Sequence, residues 1–96
     1  MIENLYTVVY KDDSKVTIQL SDENHPVFKA HFPTNPLLPG FMNFEIISKL
    51  FDIKITSIKK AKFLRTVAPN QIITYQRDAN KFKVTSQDDT IANFVL

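Results

Sequence analysis

The chain has 96 residues, 44% hydrophobic and 23% charged, with a formal net charge of +2 and no cysteine. That length makes one small domain with a modest core, and the missing cysteine excludes a disulfide framework and thiolate chemistry. No apolar run reaches the ~18 residues of a membrane span, the charge is too small to imply nucleic acid, and the unpatterned start suggests no secretion signal, so a cytoplasmic address is the default expectation.

Residues 5–10 are rich in β-branched and aromatic side chains and predict a first strand. A polar turn, Lys11-Asp12-Asp13-Ser14, follows. Val16, Ile18 and Leu20 then alternate with Thr17 and Gln19, the pattern of a half-buried strand. Asp22-Glu23-Asn24 ends it, and His25-Pro26-Val27-Phe28 leads onward with Val27 and Phe28 turned inward and His25 read as a loop residue without function. Residues 31–45 hold three of the five prolines and the single glycine, Gly40. Pro33 and Pro36 predict a stiff extended loop, and Pro39 suits the first turn of a helix over about 39–52. Every other turn is made without glycine, so Gly40 has a local reason: a close approach or a strained backbone. The helix is apolar on most of its circumference, through Phe41, Met42, Phe44, Ile46, Ile47, Leu50 and Phe51, which predicts a buried helix. Residues 53–67 read as one long strand with a bulge or bend near Ser57. Gln71–Arg77, Phe82–Ser86 and Thr90–Leu96, joined by polar turns, complete an antiparallel meander. One helix against one antiparallel sheet is an α+β architecture.

Three residues stand out for chemistry, each with a plainer reading beside it. His31 has an imidazole that can accept a proton near neutral pH, yet a histidine beside Phe32 also reads as a hydrogen-bonded structural one. Glu45, four residues before Lys49, reads either as half of a surface ion pair contributing about 0.3–0.5 kcal/mol or as a buried carboxyl with a task. Gly40 offers a helix-start N–H to a developing negative charge, or simply begins the helix with Pro39. Neither a metal-ligand spacing, a phosphate-binding glycine loop nor a serine elbow is present. Lys59, Lys60, Lys62 and Arg65 are the densest basic cluster, and strand alternation puts Lys60 and Lys62 on one face with Lys59 and Arg65 on the other.

His31-Phe32-Pro33, Pro36, Pro39-Gly40 and Glu45, fourteen positions after His31, resemble the signature of the hotdog-fold 3-hydroxyacyl-acyl-carrier-protein dehydratases. A second block, Lys60 to Pro69, resembles that family's strand after the helix, and the resemblance runs from about Val16 to the C-terminus. It implies a single hotdog domain over residues 1–96, with the sheet wrapped around the helix. His31 would take the C2 proton of the substrate. Glu45, its pKa raised by apolar surroundings, would protonate or orient the departing hydroxyl. Gly40, with Phe32, Pro39 and Phe41, would receive the thioester. The resemblance further implies a homodimer whose two chains share each site. It implies no metal and no cofactor of the protein's own: the substrate rides on the phosphopantetheine of acyl carrier protein or on coenzyme A. Lys60, Lys62 and Arg65 are the candidate contacts to an acidic carrier. Lys49 stands where the family often has glutamine, and contact with Glu45 would lower that carboxyl's pKa. Lys49 there, with bulky Phe41 and Phe44, implies a short or unusual acyl group or a weakened enzyme. Two other readings share the fold: a thioester hydrolase in which Glu45 activates water, and a non-catalytic acyl-thioester-binding or structural subunit.

Overall fold

The computed structural model describes residues 2–30 and 34–96. The strands are β1 (Tyr6–Lys11), β2 (Lys15–Leu20), β4 (Ile72–Asp78), β5 (Lys81–Ser86) and β6 (Asp89–Val95), with the short β3 (Lys60–Phe63) ahead of β4; apolar alternation is clean in β2 and β5. Among the described residues between β2 and β3 lie the helices α1 (Pro26–Ala30) and α2 (Met42–Phe51). All strand pairs are antiparallel, in the order β1-β2-β4-β5-β6-β3. The inner face of the sheet buries Val16, Ile18, Ile73, Tyr75, Phe82, Val84 and Phe94 against Met42, Ile46, Ile47 and Leu50 of α2. This is the α+β hotdog arrangement, and the meander of β4, β5 and β6 lies where alternation put it.

Three expectations change. The chain over 25–30 is not all loop: α1 forms there, with Val27 and Phe28 buried as expected. His25 sits at its start and accepts from the Val27 N–H through Nδ1 (3.0 Å). That leaves the proton on Nε2, which donates to the Glu3 carbonyl at 2.7 Å. Both ring nitrogens are engaged, so His25 is structural. The long strand over 53–67 shrinks to Lys60–Phe63, which pairs only with β6. Ile53 and Ile55 are half-buried against the core without a ladder partner, so their apolar spacing reflects packing rather than a strand. The bulges lie instead in β1, between Val8 and Tyr10, and in β5, between Val84 and Thr85. Finally, α2 is not buried all round. Its core stripe is Met42, Asn43, Ile46, Ile47 and Leu50, while Phe41, Glu45 and Lys49, four residues apart, are exposed on the opposite side.

α2 ends on Asp52, which adopts the left-handed conformation (φ 52°) usually given to glycine. The Ile53 N–H then returns to the Ser48 carbonyl at 3.1 Å, and the Ser48 hydroxyl donates to the Ile53 carbonyl at 2.6 Å. This locks the helix end.

Candidate active site

The expected base, His31, and its neighbour Phe32 lie outside the described residues. The rest of the signature is described and tightly held. The Leu38 N–H donates to the Val67 carbonyl at 2.7 Å, fixing the approach to α2. Pro39, Gly40 and Phe41 follow as one tight turn, whose carbonyls accept from Met42 (3.0 Å), Asn43 (3.1 Å) and Phe44 (3.2 Å). These three-residue spacings are 3₁₀ geometry, frequent at a helix N-terminus. Among the described residues nothing accepts a hydrogen bond from the Gly40 N–H. The donor is therefore available at the positive end of α2.

The reason for Gly40 is a close approach. Its φ is not positive. A Cβ there would lie 2.9 Å from Cε1 of Phe63 and 3.1 Å from Cζ, so the ring rests on the glycine. Phe63 in turn meets Phe94 at 5.4 Å between ring centroids, and Phe44 meets Phe94 at 4.7 Å. Three rings from α2, β3 and β6 thus wall one side of the turn. Phe44, flagged in the sequence for its bulk, belongs to this wall; Phe41, flagged with it, is 53% exposed.

Glu45 lies one turn after Phe41 on the same exposed stripe. The expected apolar surroundings are absent within one chain: the carboxyl stands in solvent. Neither Lys49 nor any other described residue makes an ion pair or hydrogen bond with it, so the surface pair weighed for these two residues does not form. Ile58, Phe63 and Leu64, all exposed, lie on and beside β3, at the edge of the sheet. The described residues thus place an exposed carboxyl, an amide donor and an aromatic wall around the start of α2.

One pair was missed by sequence reading. Asn43 is only 3% exposed, and its Nδ2 donates to the Gly40 carbonyl at 3.0 Å. Its Oδ1 accepts from the Tyr75 hydroxyl at 2.7 Å. Burial holds the Tyr75 phenol well above its ordinary value, with a smaller contribution from Tyr6, so it stays a neutral donor. The available signal was a lone amide inside an apolar helical stripe, which demands a buried partner.

The candidate carrier contacts separate. Arg65, beyond the end of β3, lies 3.9 Å from Asp89 through Nε. Lys60 and Lys62 pair with Val95 and Asn93 of β6, which pair in turn with Lys81 and Lys83 of β5. Four exposed lysines therefore form two rows on the outer face of the sheet, with no ion-pair partner among the described residues. A broad groove of about 890 Å³ opens elsewhere, beside Tyr6, Gln19 and His25, and neither Gly40 nor Glu45 lines it. No group of metal-ligating side chains occurs among the described residues, and no helix there is long and apolar enough to cross a membrane.

A family profile described as ApeI dehydratase matches residues 8–94. The chain is 30% identical over 70 residues to the 3-hydroxyacyl-[acyl-carrier-protein] dehydratase FabZ of Chlamydia pneumoniae, a match covering 57% of this chain and 46% of that protein. It is 28% identical over 85 residues to the protein of the same name from Ehrlichia ruminantium (strain Gardel), covering 73% and 59% respectively. The chain thus spans about half the length of the curated relatives it matches. Among solved structures, it superposes on a chain of the dehydratase heterocomplex ApeI:P from Xenorhabdus doucetiae with a TM-score of 0.69, at 22% identity and over 93% of both chains. That likeness is one of fold.

Proposed function

The chain belongs to the ApeI-like dehydratase family, and from that premise we propose that it removes water from a 3-hydroxyacyl thioester to give the trans-2-enoyl thioester. The observation that supports this most is the grouping of an available Gly40 N–H with Phe41 and Glu45 at the start of α2. His31, fourteen positions before Glu45, takes the proton from C2. The electron pair forms the C2–C3 double bond, the C3–O bond breaks, and Glu45 gives its proton to the hydroxyl, which departs as water. The thioester oxygen gains charge in between, and the Gly40 N–H faces it. His31 then returns its proton through solvent to Glu45, which balances the cycle.

A second chain covers Glu45 and the β3 edge and completes the site. In this reading the partner is a second copy, with His31 from one chain facing Glu45 from the other. A neighbour in fold is described as part of a heterocomplex, which makes a different chain the alternative partner. The acyl group arrives on the phosphopantetheine of acyl carrier protein or on coenzyme A. Lys60 and Lys62, extended by Lys81 and Lys83, are the surface for an acidic carrier. The aromatic wall favours a short acyl group.

The deciding assay is hydration of crotonyl and longer enoyl thioesters, with thiol release measured in the same tubes. Hydration without thiol release is the expected result. Thiol release would support the hydrolase reading, in which the solvent-facing Glu45 activates water. Neither reaction, with the thioester bound, would leave an acyl-thioester-binding subunit.

A further inference from the structure

The turn that presents the Gly40 N–H is held from inside the core. Tyr75, on β4, donates to the Asn43 Oδ1 at 2.7 Å, and Asn43 Nδ2 donates to the Gly40 carbonyl at 3.0 Å. The same carbonyl accepts from the Asn43 backbone N–H at 3.1 Å. With both donors on its oxygen and the Phe63 ring against its Cα, the Gly40 residue has little freedom to tilt. The Gly40 N–H assigned above to the thioester oxygen lies in the preceding Pro39–Gly40 peptide plane, whose carbonyl accepts from the Met42 N–H at 3.0 Å; with the Gly40–Phe41 plane held as well, the whole turn that presents this donor is fixed. We infer that Asn43 and Tyr75 are positioning residues: a buried two-bond relay, reaching from a strand 32 residues away, that holds the Gly40–Phe41 peptide and so the turn presenting the Gly40 N–H.

A structural role alone is the competing account. Tyr75 is fully buried, and an amide in that core must have partners wherever it sits. The two accounts differ in what a double substitution does. Tyr75→Phe keeps the ring but strands Asn43 Oδ1, and Asn43→Leu strands the Tyr75 hydroxyl. Each single variant should melt roughly 5–20 °C below wild type. Replacing both partners with apolar groups of similar shape removes the stranded atoms, so the double variant should regain most of that loss. A structural pair would regain everything else with it. A positioning relay would not, because the Gly40 carbonyl then keeps only the Asn43 backbone N–H.

The relay's effect on catalysis rests on the dehydratase reading, but its geometry can be read without activity. Gly40 is the single glycine of the chain, so glycine-selective ¹⁵N labelling gives one backbone amide resonance at the site itself. In the double variant that resonance should remain shifted and exchange faster with solvent, although melting has recovered. In hydration of crotonyl pantetheine, kcat should fall roughly tenfold or more in all three variants while KM changes little, as expected when alignment rather than binding is lost. A double variant with recovered melting, a wild-type Gly40 resonance and wild-type kcat overturns the inference. If wild type hydrates no thioester, the dehydratase reading falls, and the resonance alone decides: shifted in the double variant, the relay stands; unshifted, it is overturned.

Discussion

Gly40 exchanges one kind of constraint for another. The usual reason for a lone glycine is a positive φ, but among the described residues six others take that conformation, Asn4, Asp52, Asn70, Ala79, Gln87 and Asp88, and Gly40 does not. A Cβ there would instead have to push the Phe63 ring aside. Gly40→Ala should therefore destabilise by about 1–3 kcal/mol through overpacking. Gly40→Ala with Phe63→Leu should recover most of it, as urea titration of the single and double variants will show. At the β1–β2 turn, Asp12 receives the Tyr10 hydroxyl (2.7 Å) and the N–H groups of Ser14 (2.9 Å) and Lys15 (2.7 Å). These donors, the Tyr10 hydroxyl foremost, hold its carboxyl down to about 2, from an ordinary 3.8. A lowered value means that the stabilisation is full above the ordinary pKa and disappears as pH falls from about 4 through 2. Asp12→Asn should flatten that part of the stability curve and leave its shape above pH ~5 unchanged, as measured by unfolding at a series of pH values.

At the level of elements, the strands with strict alternation were legible, and so was α2, because apolar spacing, Pro39 and the polar Asp52 all marked it. α1 was not: five residues are too few to show a helical period, and its start depends on His25 turning a ring nitrogen to Val27. The overlong third strand has a different cause. Ile53 and Ile55 pack on the core exactly as strand residues do, but they lack a neighbour to pair with, and pairing is not written in the pattern. Around the start of α2, the signature singled out Gly40 and Glu45, whereas the Asn43–Tyr75 bond joins distant positions and needed the fold. The turns carry a testable strain. Ala79, between Asp78 and Lys81 of the β4–β5 hairpin, has φ 56°. A left-handed alanine costs about 1–2 kcal/mol, partly offset in a glycine variant by its freer unfolded chain. Ala79→Gly should thus gain about 0.5–1 kcal/mol, read as a higher melting temperature.

At the scale of the whole molecule, the apolar residues exposed at the β3 edge and the solvent-facing Glu45 support the proposed second chain, for which a two-fold pair is the commonest arrangement. If His31 and Glu45 come from opposite chains, inactive His31→Ala and Glu45→Gln proteins should complement after joint unfolding and refolding. Random pairing makes about half the dimers hybrids, each with one intact site, so activity should recover to about a quarter of wild type. Mixtures that contain hybrids yet stay at background would rule out the shared site. On the outer face, the rows of Lys60, Lys62, Lys81 and Lys83 predict salt sensitivity toward a charged carrier. Turnover of a carrier-bound thioester should fall as salt rises from low to about 0.5 M, while turnover of the pantetheine thioester changes much less.

The contact between Gly40 and Phe63 also has an evolutionary consequence. A side chain at position 40 is opposed only while a large ring occupies position 63, so the two positions should vary together rather than independently. Descendants of this chain that shrink residue 63 would be released to replace the glycine, and those that keep the ring would not. Libraries randomised at both positions, selected for folded protein, should therefore return alanine at position 40 together with small residues at 63, and glycine together with aromatic ones. A drift of the two positions without correlation would mean that the ring yields more easily than its packing against Phe44 and Phe94 implies.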